Sequence, residues 1–311
     1  MNYKLHQYVA SVFFLALFTS YPSLAQHFST PPSSTSNKQL KTEEQLGRLL
    51  FYDADLSRDG SMSCATCHRQ KYAFTDGNKT HPGVNNDHGV FNVPTLSNVG
   101  AFKKLMWVDE PVHSLEEQAL VPMTGITPVE MGMHHREKEI EKRIANNSCY
   151  IKLFNKAFPN LVGNKIALQT ITQAIASFER TLTSVQSHWD IKDHYTNEMQ
   201  KGESIFFGKG SCATCHTPPF FTDQELHQIN GQMGKAYRTP TLRNVELTSP
   251  YFHDGSKATI NEAILGHETK YTSVPKLSQH DVYYLEKFLD SLTDMNFVTS
   301  PDYALPDKTC N

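Results

Sequence analysis

The six-residue string SCATCH occurs twice, at Ser63–His68 and at Ser211–His216. Nothing else in the chain restricts it so strongly. C-x-x-C-H attaches c-type haem: the two thiols add to the porphyrin vinyl groups, and the imidazole that follows takes the iron as proximal ligand. Cys64, Cys67 and His68, and then Cys212, Cys215 and His216, are therefore expected to hold two covalent haems. A thioredoxin-like redox pair would use one such motif beside a βαβ pattern, and none is visible. A zinc site built from all four thiolates would leave both trailing histidines without a role. Cys149 and Cys310 remain, either paired with each other or held as buried thiols.

The N-terminus points to the compartment. Lys4 precedes an apolar stretch from Tyr8 to Phe18, followed by Ser23-Leu24-Ala25, a small-x-small cleavage signal. The stretch is shorter than the roughly twenty residues a spanning helix needs. Residues 1–25 are expected to be a cleaved signal peptide, which places the mature chain in a bacterial periplasm without stable membrane insertion. Charges of both signs are scattered along the sequence, the net charge is −3, and no polybasic tract suggests nucleic acid.

The repetition is wider than six letters. Upstream, LGRLLFYD (Leu46–Asp53) resembles KGESIFFG (Lys201–Gly208). Downstream, YAFTD (Tyr72–Asp76) matches PFFTD (Pro219–Asp223), VPTLSNV (Val93–Val99) matches TPTLRNV (Thr239–Val245), and SLEEQAL (Ser114–Leu120) lies opposite TINEAIL (Thr259–Leu265). Ordered similarity at near-equal spacing reads as an internal duplication, one haem per unit.

Elsewhere the pattern is helical. Ile166, Leu168, Ile171, Ile175, Phe178 and Leu182 recur mostly at three and four residues. Arg136–Phe158 puts Ile140, Ile144, Ile151, Phe154 and Phe158 on one face. Ser278-x-x-Asp281 is a capping box before Val282, Leu285, Phe288 and Leu289, and Thr42-x-x-Gln45 is expected to open the helix leading to the first haem. Strand-like alternation is nearly absent. The expected fold is all-α: two cytochrome c-like helical domains, over 42–185 with bridging helices and over 186–311, after a polar arm at 26–41. With 39% hydrophobic residues, 311 residues suffice for one large core or two modest ones.

In this order, C-x-x-C-H, PTLSNV, SLEEQALVP, PVEMG, C-x-x-C-H, RTPTLRNV and SPYFHDG resemble the bacterial di-haem cytochrome c peroxidases and their MauG relatives over residues 42–295. The segment MWVDEPVHSLEEQALVPMTGITPVEMGM is most similar to the MbnH-type branch. The resemblance implies peroxide chemistry at the first haem, with Glu130 of the P-x-E-M-G motif as distal acid–base and Gln118 as its pocket neighbour. It also implies that Trp107 relays electrons between the haems; its counterpart in the second unit is His253. Trp189 has no such match and reads as core.

The resemblance further implies a sixth ligand on the second haem at position 267, where the peroxidases have Met and MauG-like proteins Tyr. Here it is His267, and a His–His haem is closed to peroxide. In the first unit, His81 and His88 occupy the loop in which peroxidases keep a removable distal histidine. Neither falls at the family spacing, so an open first haem held by His68 alone is expected. Met123, Met131 and Met133 read as packing. One calcium ion between the domains is implied on the Asn92 side chain and the Thr248 and Pro250 carbonyls. The expected partners are hydrogen peroxide and either a small redox donor (a cytochrome c or a cupredoxin) or a partner protein that is itself oxidised. A non-catalytic electron-transfer cytochrome is the third possibility, against which Glu130 and Gln118 count.

Overall fold

A computed structural model describes residues 37–228, 235–267, 275–307 and 310. The expected signal peptide and the arm up to residue 36 lie outside the described residues. Helices α1 (Asn37–Phe51), α2 (Cys64–Cys67), α3 (Leu115–Thr124), α4 (Glu137–Ala145), α5 (Ser148–Ala157) and α6 (Leu168–Glu179) come first. Then follow α7 (His188–Ile191), α8 (Asn197–Phe207), α9 (Ile260–Gly266), α10 (Gln279–Asp290) and α11 (Met295–Thr299). Strand is confined, among the described residues, to the short antiparallel pair β1 (Leu226–His227) and β2 (Tyr237–Arg238) and two isolated bridges. The protein is thus mostly helical, and no helix among the described residues is long and apolar enough to cross a membrane.

Two hydrophobic cores form. The first gathers Leu46, Leu50, Phe51, Phe74, Phe154, Ile171, Ile175 and Phe178; the second gathers Phe206, Phe221, Val282, Leu285, Phe288 and Leu289. The same close approach organises both. A Cβ on Gly47 would stand 1.8 Å from the Ala174 carbonyl oxygen, which lets α1 lie against α6. A Cβ on Gly202 would stand 1.9 Å from the Tyr284 carbonyl oxygen, where α8 meets α10. These glycines hold equivalent places in the repeated LGRLLFYD and KGESIFFG segments.

The repeated PTL-x-NV segments also share geometry. Thr95 and Thr241 hydroxyls each donate to a carbonyl before them, of Ala73 and Phe220, both at 2.5 Å. Asn98 and Asn244 both take left-handed backbone, with φ of 61° and 60°. Their side chains meet at Ser184: Asn98 Nδ2 donates to its carbonyl at 3.1 Å, and Asn244 Nδ2 donates to its hydroxyl at 3.0 Å. This buried, satisfied polar cluster ties the two cores together.

Two details differ from the sequence expectations, and one agrees. The helix read over Arg136–Phe158 is two helices, because the Asn147 side chain accepts from Cys149 N–H and caps α5 as a new start. The phase changes there: Tyr150 is buried and Ile151 is 42% exposed. Thr42 does not open α1, which begins at Asn37. NKQLK is rich in good helix formers and offers no break. Ser278 caps α10 as expected, accepting from Asp281 N–H and donating its own N–H to the Asp281 carboxylate.

The chain end returns to the first core, although it lies within 186–311. Phe297 and Val298 of α11 are buried there, and the Tyr52 hydroxyl donates to the Tyr303 carbonyl at 2.7 Å. Beyond it, Cys310 is disulfide-bonded to Cys149. That resolves the open question in favour of pairing and closes a loop of about half the chain, at a sequence separation of 161.

Candidate functional site

Each C-x-x-C-H forms one tight turn. His68 N–H donates to the Cys64 carbonyl and His216 N–H to the Cys212 carbonyl, both at 2.9 Å. The two rings are oriented alike. His68 donates Nδ1–H to the Phe74 carbonyl at 2.8 Å, and His216 donates Nδ1–H to the Phe221 carbonyl at 3.1 Å. Phe74 and Phe221 both adopt positive φ, 63° and 54°. With Nδ1 fixed as the donor, the Nε2 lone pair of each ring is left for a metal. Burial depresses both imidazole pKa values, His216 to about 4 with help from His267, so the rings are neutral and able to ligate.

The four cysteines are free thiols. Burial pushes Cys67 up to about 12 and Cys212 to about 11, and raises Cys64 and Cys215 as well. Such thiols are protonated at neutral pH, unlike the activated thiolate of a redox pair. Among the described residues they do not converge on one point, as a four-thiolate zinc site requires.

Around the second motif lies a cavity of about 230 Å³, lined by Cys212, Cys215, His216, His267, Trp107 and Arg238 among others. The rings of His216 and His267 lie with centroids 6.4 Å apart and planes at 70°. Two imidazoles ligating one ion at about 2.0–2.1 Å each hold their centres roughly 6 Å apart, so the pair fits a single iron between them. His267, which follows α9, donates Nδ1–H to the Ala263 carbonyl at 2.7 Å.

A second observation fits haem. Arg238 is 5% exposed, and its Nη1 has no hydrogen-bond partner. Burial lowers its pKa to about 10, which leaves the guanidinium charged at neutral pH. A buried, unpaired cation is costly, and a haem propionate would satisfy this one.

Trp107 is 7% exposed and lies against the same cavity. Its Nε1–H donates to the Asn92 carbonyl at 2.7 Å, and its own carbonyl accepts from Arg238 N–H at 2.9 Å. The Arg238 guanidinium lies 5.9 Å from the indole centre. Asn92 and Arg238 each stand two residues before the proline of their PTL segment, so equivalent positions of the two units grip Trp107. Sequence reasoning missed Arg238; its mismatch with Asn92 at the repeat position was the available signal. It also missed the stack of Tyr237 on His253, at 3.5 Å and 13°.

On the first side, Glu130 sits in a segment clamped on three sides. Val84 N–H donates to its carbonyl, Met131 N–H to Pro122, and Arg58 N–H to the Met131 carbonyl. Burial raises its pKa, and its charge reaches the Cys67 thiol. Gln118 is one turn before Pro122 on α3. Met123, Met131 and Met133 are all buried in the first core. His81 is close enough for its charge to act on His68, whereas His88 is exposed. Asn92, Thr248 and Pro250 all border the second cavity. Asn92 Nδ2 donates to the Asn78 carbonyl at 2.9 Å, which leaves its side-chain oxygen as the acceptor.

The model of the di-haem cytochrome c peroxidase family matches residues 41–199. Cytochrome c551 peroxidase of Nitrosomonas europaea is 30% identical, over 94% of this chain and 90% of its own length. The methylamine utilization protein MauG of Methylorubrum extorquens is 31% identical, over 77% of this chain and 72% of its own length. The crystal structure of a MauG-like protein associated with microbial copper homeostasis superimposes with a TM-score of 0.82 at 28% identity, covering 92% of this chain and 99% of that one. With its two C-x-x-C-H turns built alike, the chain belongs to the di-haem cytochrome c peroxidase family.

Proposed function

We propose that the protein is a periplasmic di-haem oxidoreductase that activates hydrogen peroxide at the first C-x-x-C-H site and shares the oxidising equivalents with the second through Trp107. The asymmetry between the two sites carries this reading: an imidazole pair at 6.4 Å spans the second cavity, while the half-buried Glu130 carboxyl stands close enough to the first motif for its charge to act on Cys67. When bound, the haems supply the iron redox chemistry for a two-electron reduction. Cys64, Cys67 and His68 hold one haem; Cys212, Cys215, His216 and His267 hold the other, with one haem in each unit of a duplicated chain. His267 closes the second site against peroxide.

Glu130 acts as the distal acid–base. A carboxyl whose pKa is raised by burial holds its proton closer to neutral pH, and can take one from the bound peroxide and return it to the departing oxygen. Gln118 orients peroxide by hydrogen bonding. Trp107, gripped at Nε1–H and at its carbonyl, has the fixed ring that an electron relay needs. Calcium is proposed between the units on Asn92, Thr248 and Pro250, whose oxygens suit a hard cation. Residues 1–25 are proposed as the export signal, with domains at 42–185 and 186–311.

A second reading, oxidation of a residue such as tryptophan on a partner protein, is favoured by one observation: the 28% identical solved structure is a MauG-like protein, and the match spans nearly both chains. Peroxide turnover with and without small cytochrome or cupredoxin donors tests both. Consumption coupled to donor oxidation supports peroxide reduction. Slow consumption unaffected by any donor supports a protein substrate. No reaction with peroxide would leave an electron-transfer cytochrome.

A further inference from the structure

The wall behind His216 leads outward through side chains that peroxide binding does not use. His216 donates to the Phe221 carbonyl, and the Phe221 ring meets Trp189 edge-on at 4.9 Å. Trp189 Nε1–H donates to Glu203 Oε1 at 2.7 Å. The other oxygen of that carboxylate accepts from the Tyr195 hydroxyl at 2.9 Å. Two oxidisable side chains thus share one proton acceptor, between the second core and a rim where Ile191 is 57% exposed.

The charges around the indole balance. Arg243 lies 5.4 Å from the ring and is paired with Asp190, and Lys192 lies 5.1 Å away, within 3.5 Å of Glu203. Two cations and two anions leave no net charge beside the indole, and Glu203 can take the proton that an oxidised indole sheds. A tryptophan needed only for packing requires a partner for its N–H, but not a phenol on the same carboxylate.

We propose that Trp189, Tyr195 and Glu203 form a proton-coupled electron relay from the proximal side of the second haem to the surface, through which a one-electron donor protein delivers electrons. The relay rests on the peroxide reading above. Reducing one peroxide to two waters takes two protons, drawn from solvent at the first site, and two electrons, so the relay works twice per peroxide. Each time, Trp189 gives one electron inward towards His216 and its N–H proton to Glu203. Tyr195 then restores the Trp189 electron, its own O–H proton remaining with the Glu203 pair, while the earlier proton returns to the indole. The donor re-reduces Tyr195, which recovers its proton from Glu203. The donor is oxidised by one electron at each pass and peroxide is reduced.

The test treats the di-haem holoprotein with peroxide and a nitroso spin trap, with no donor present, and maps adducts by peptide mass spectrometry. Adducts are expected at Trp189 and Tyr195 in preference to Tyr283, although Tyr283 is 41% exposed. Because electrons are withdrawn from inside, Trp189→Phe should abolish the Tyr195 adduct, while Tyr195→Phe should keep the Trp189 adduct. Glu203→Gln, which cannot take the proton, should lower both by about tenfold or more. The two haem absorption bands check folding in every variant, and if Trp189→Phe fails that check the other two variants decide. A Tyr195 adduct that survives Trp189→Phe would overturn the relay, as would peroxide consumption with no adduct at either residue. If peroxide is not consumed at all, the peroxide reading itself falls and takes the relay with it.

Discussion

Glu179 ends α6 and is 4% exposed, with Oε2 lacking a hydrogen-bond partner. Burial lifts its pKa from 4.5 to about 8, against a smaller opposing pull from Arg180. In the unfolded chain the group ionises near its ordinary value, while in the fold it stays protonated until about pH 8. Its contribution is therefore fully present below the unfolded pKa and is lost as pH rises through the folded one. A shift of that size corresponds to roughly 5 kcal/mol at most. Glu179→Gln removes the titration and keeps the shape. The new amide carries its own burial cost of about 1–3 kcal/mol, which does not vary with pH. Denaturant midpoints of both proteins from pH 4 to pH 9 isolate the effect. The variant should gain on the wild type by several kcal/mol between pH 4.5 and pH 8, then run parallel. A stability difference that does not change with pH would refute the argument.

Other substitutions probe the site and the scaffold. Glu130→Gln should leave both haem spectra nearly unchanged and slow the peroxide reaction about a hundredfold or more, read by stopped-flow absorption. Trp107→Phe keeps an aromatic ring but loses the hydrogen bond to Asn92; the ferric spectrum should stay normal while oxidation of the second haem slows. Cys149→Ser opens the long loop closed with Cys310 and should cost about 2–4 kcal/mol by chemical denaturation, with haem attachment unaffected.

Much of the candidate site was legible in the sequence because C-x-x-C-H is a local motif. Cysteine spacing and the histidine that follows require no knowledge of the fold, and the repeat made the second copy as legible as the first. Gly47 and Gly202 show why the flanking segments repeat: each permits one close helix approach. What stayed hidden was non-local. Nothing near Cys310 announces that the chain end crosses back to Cys149. The break at Asn147 depends on a side chain capping a new helix within an otherwise continuous pattern. Arg238 gains meaning only where β2 brings it beside Trp107 and the second cavity. Trp189 reads as core in the sequence, and it does pack on the second core; its bond to Glu203 joins segments that the periodicity does not connect.

Electron paramagnetic resonance of the resting ferric protein tests the division of labour between the two sites most directly. The account predicts one high-spin signal, from an open first haem on His68, and one low-spin signal, from the His216–His267 pair. Substituting His267→Ala should convert the low-spin signal and leave the other in place. Two low-spin signals at rest would contradict the account and make His81, whose charge reaches His68, the ligand to remove next. A low-spin signal that persists in His267→Ala would show that the His216 and His267 imidazoles are not the pair that closes the second iron.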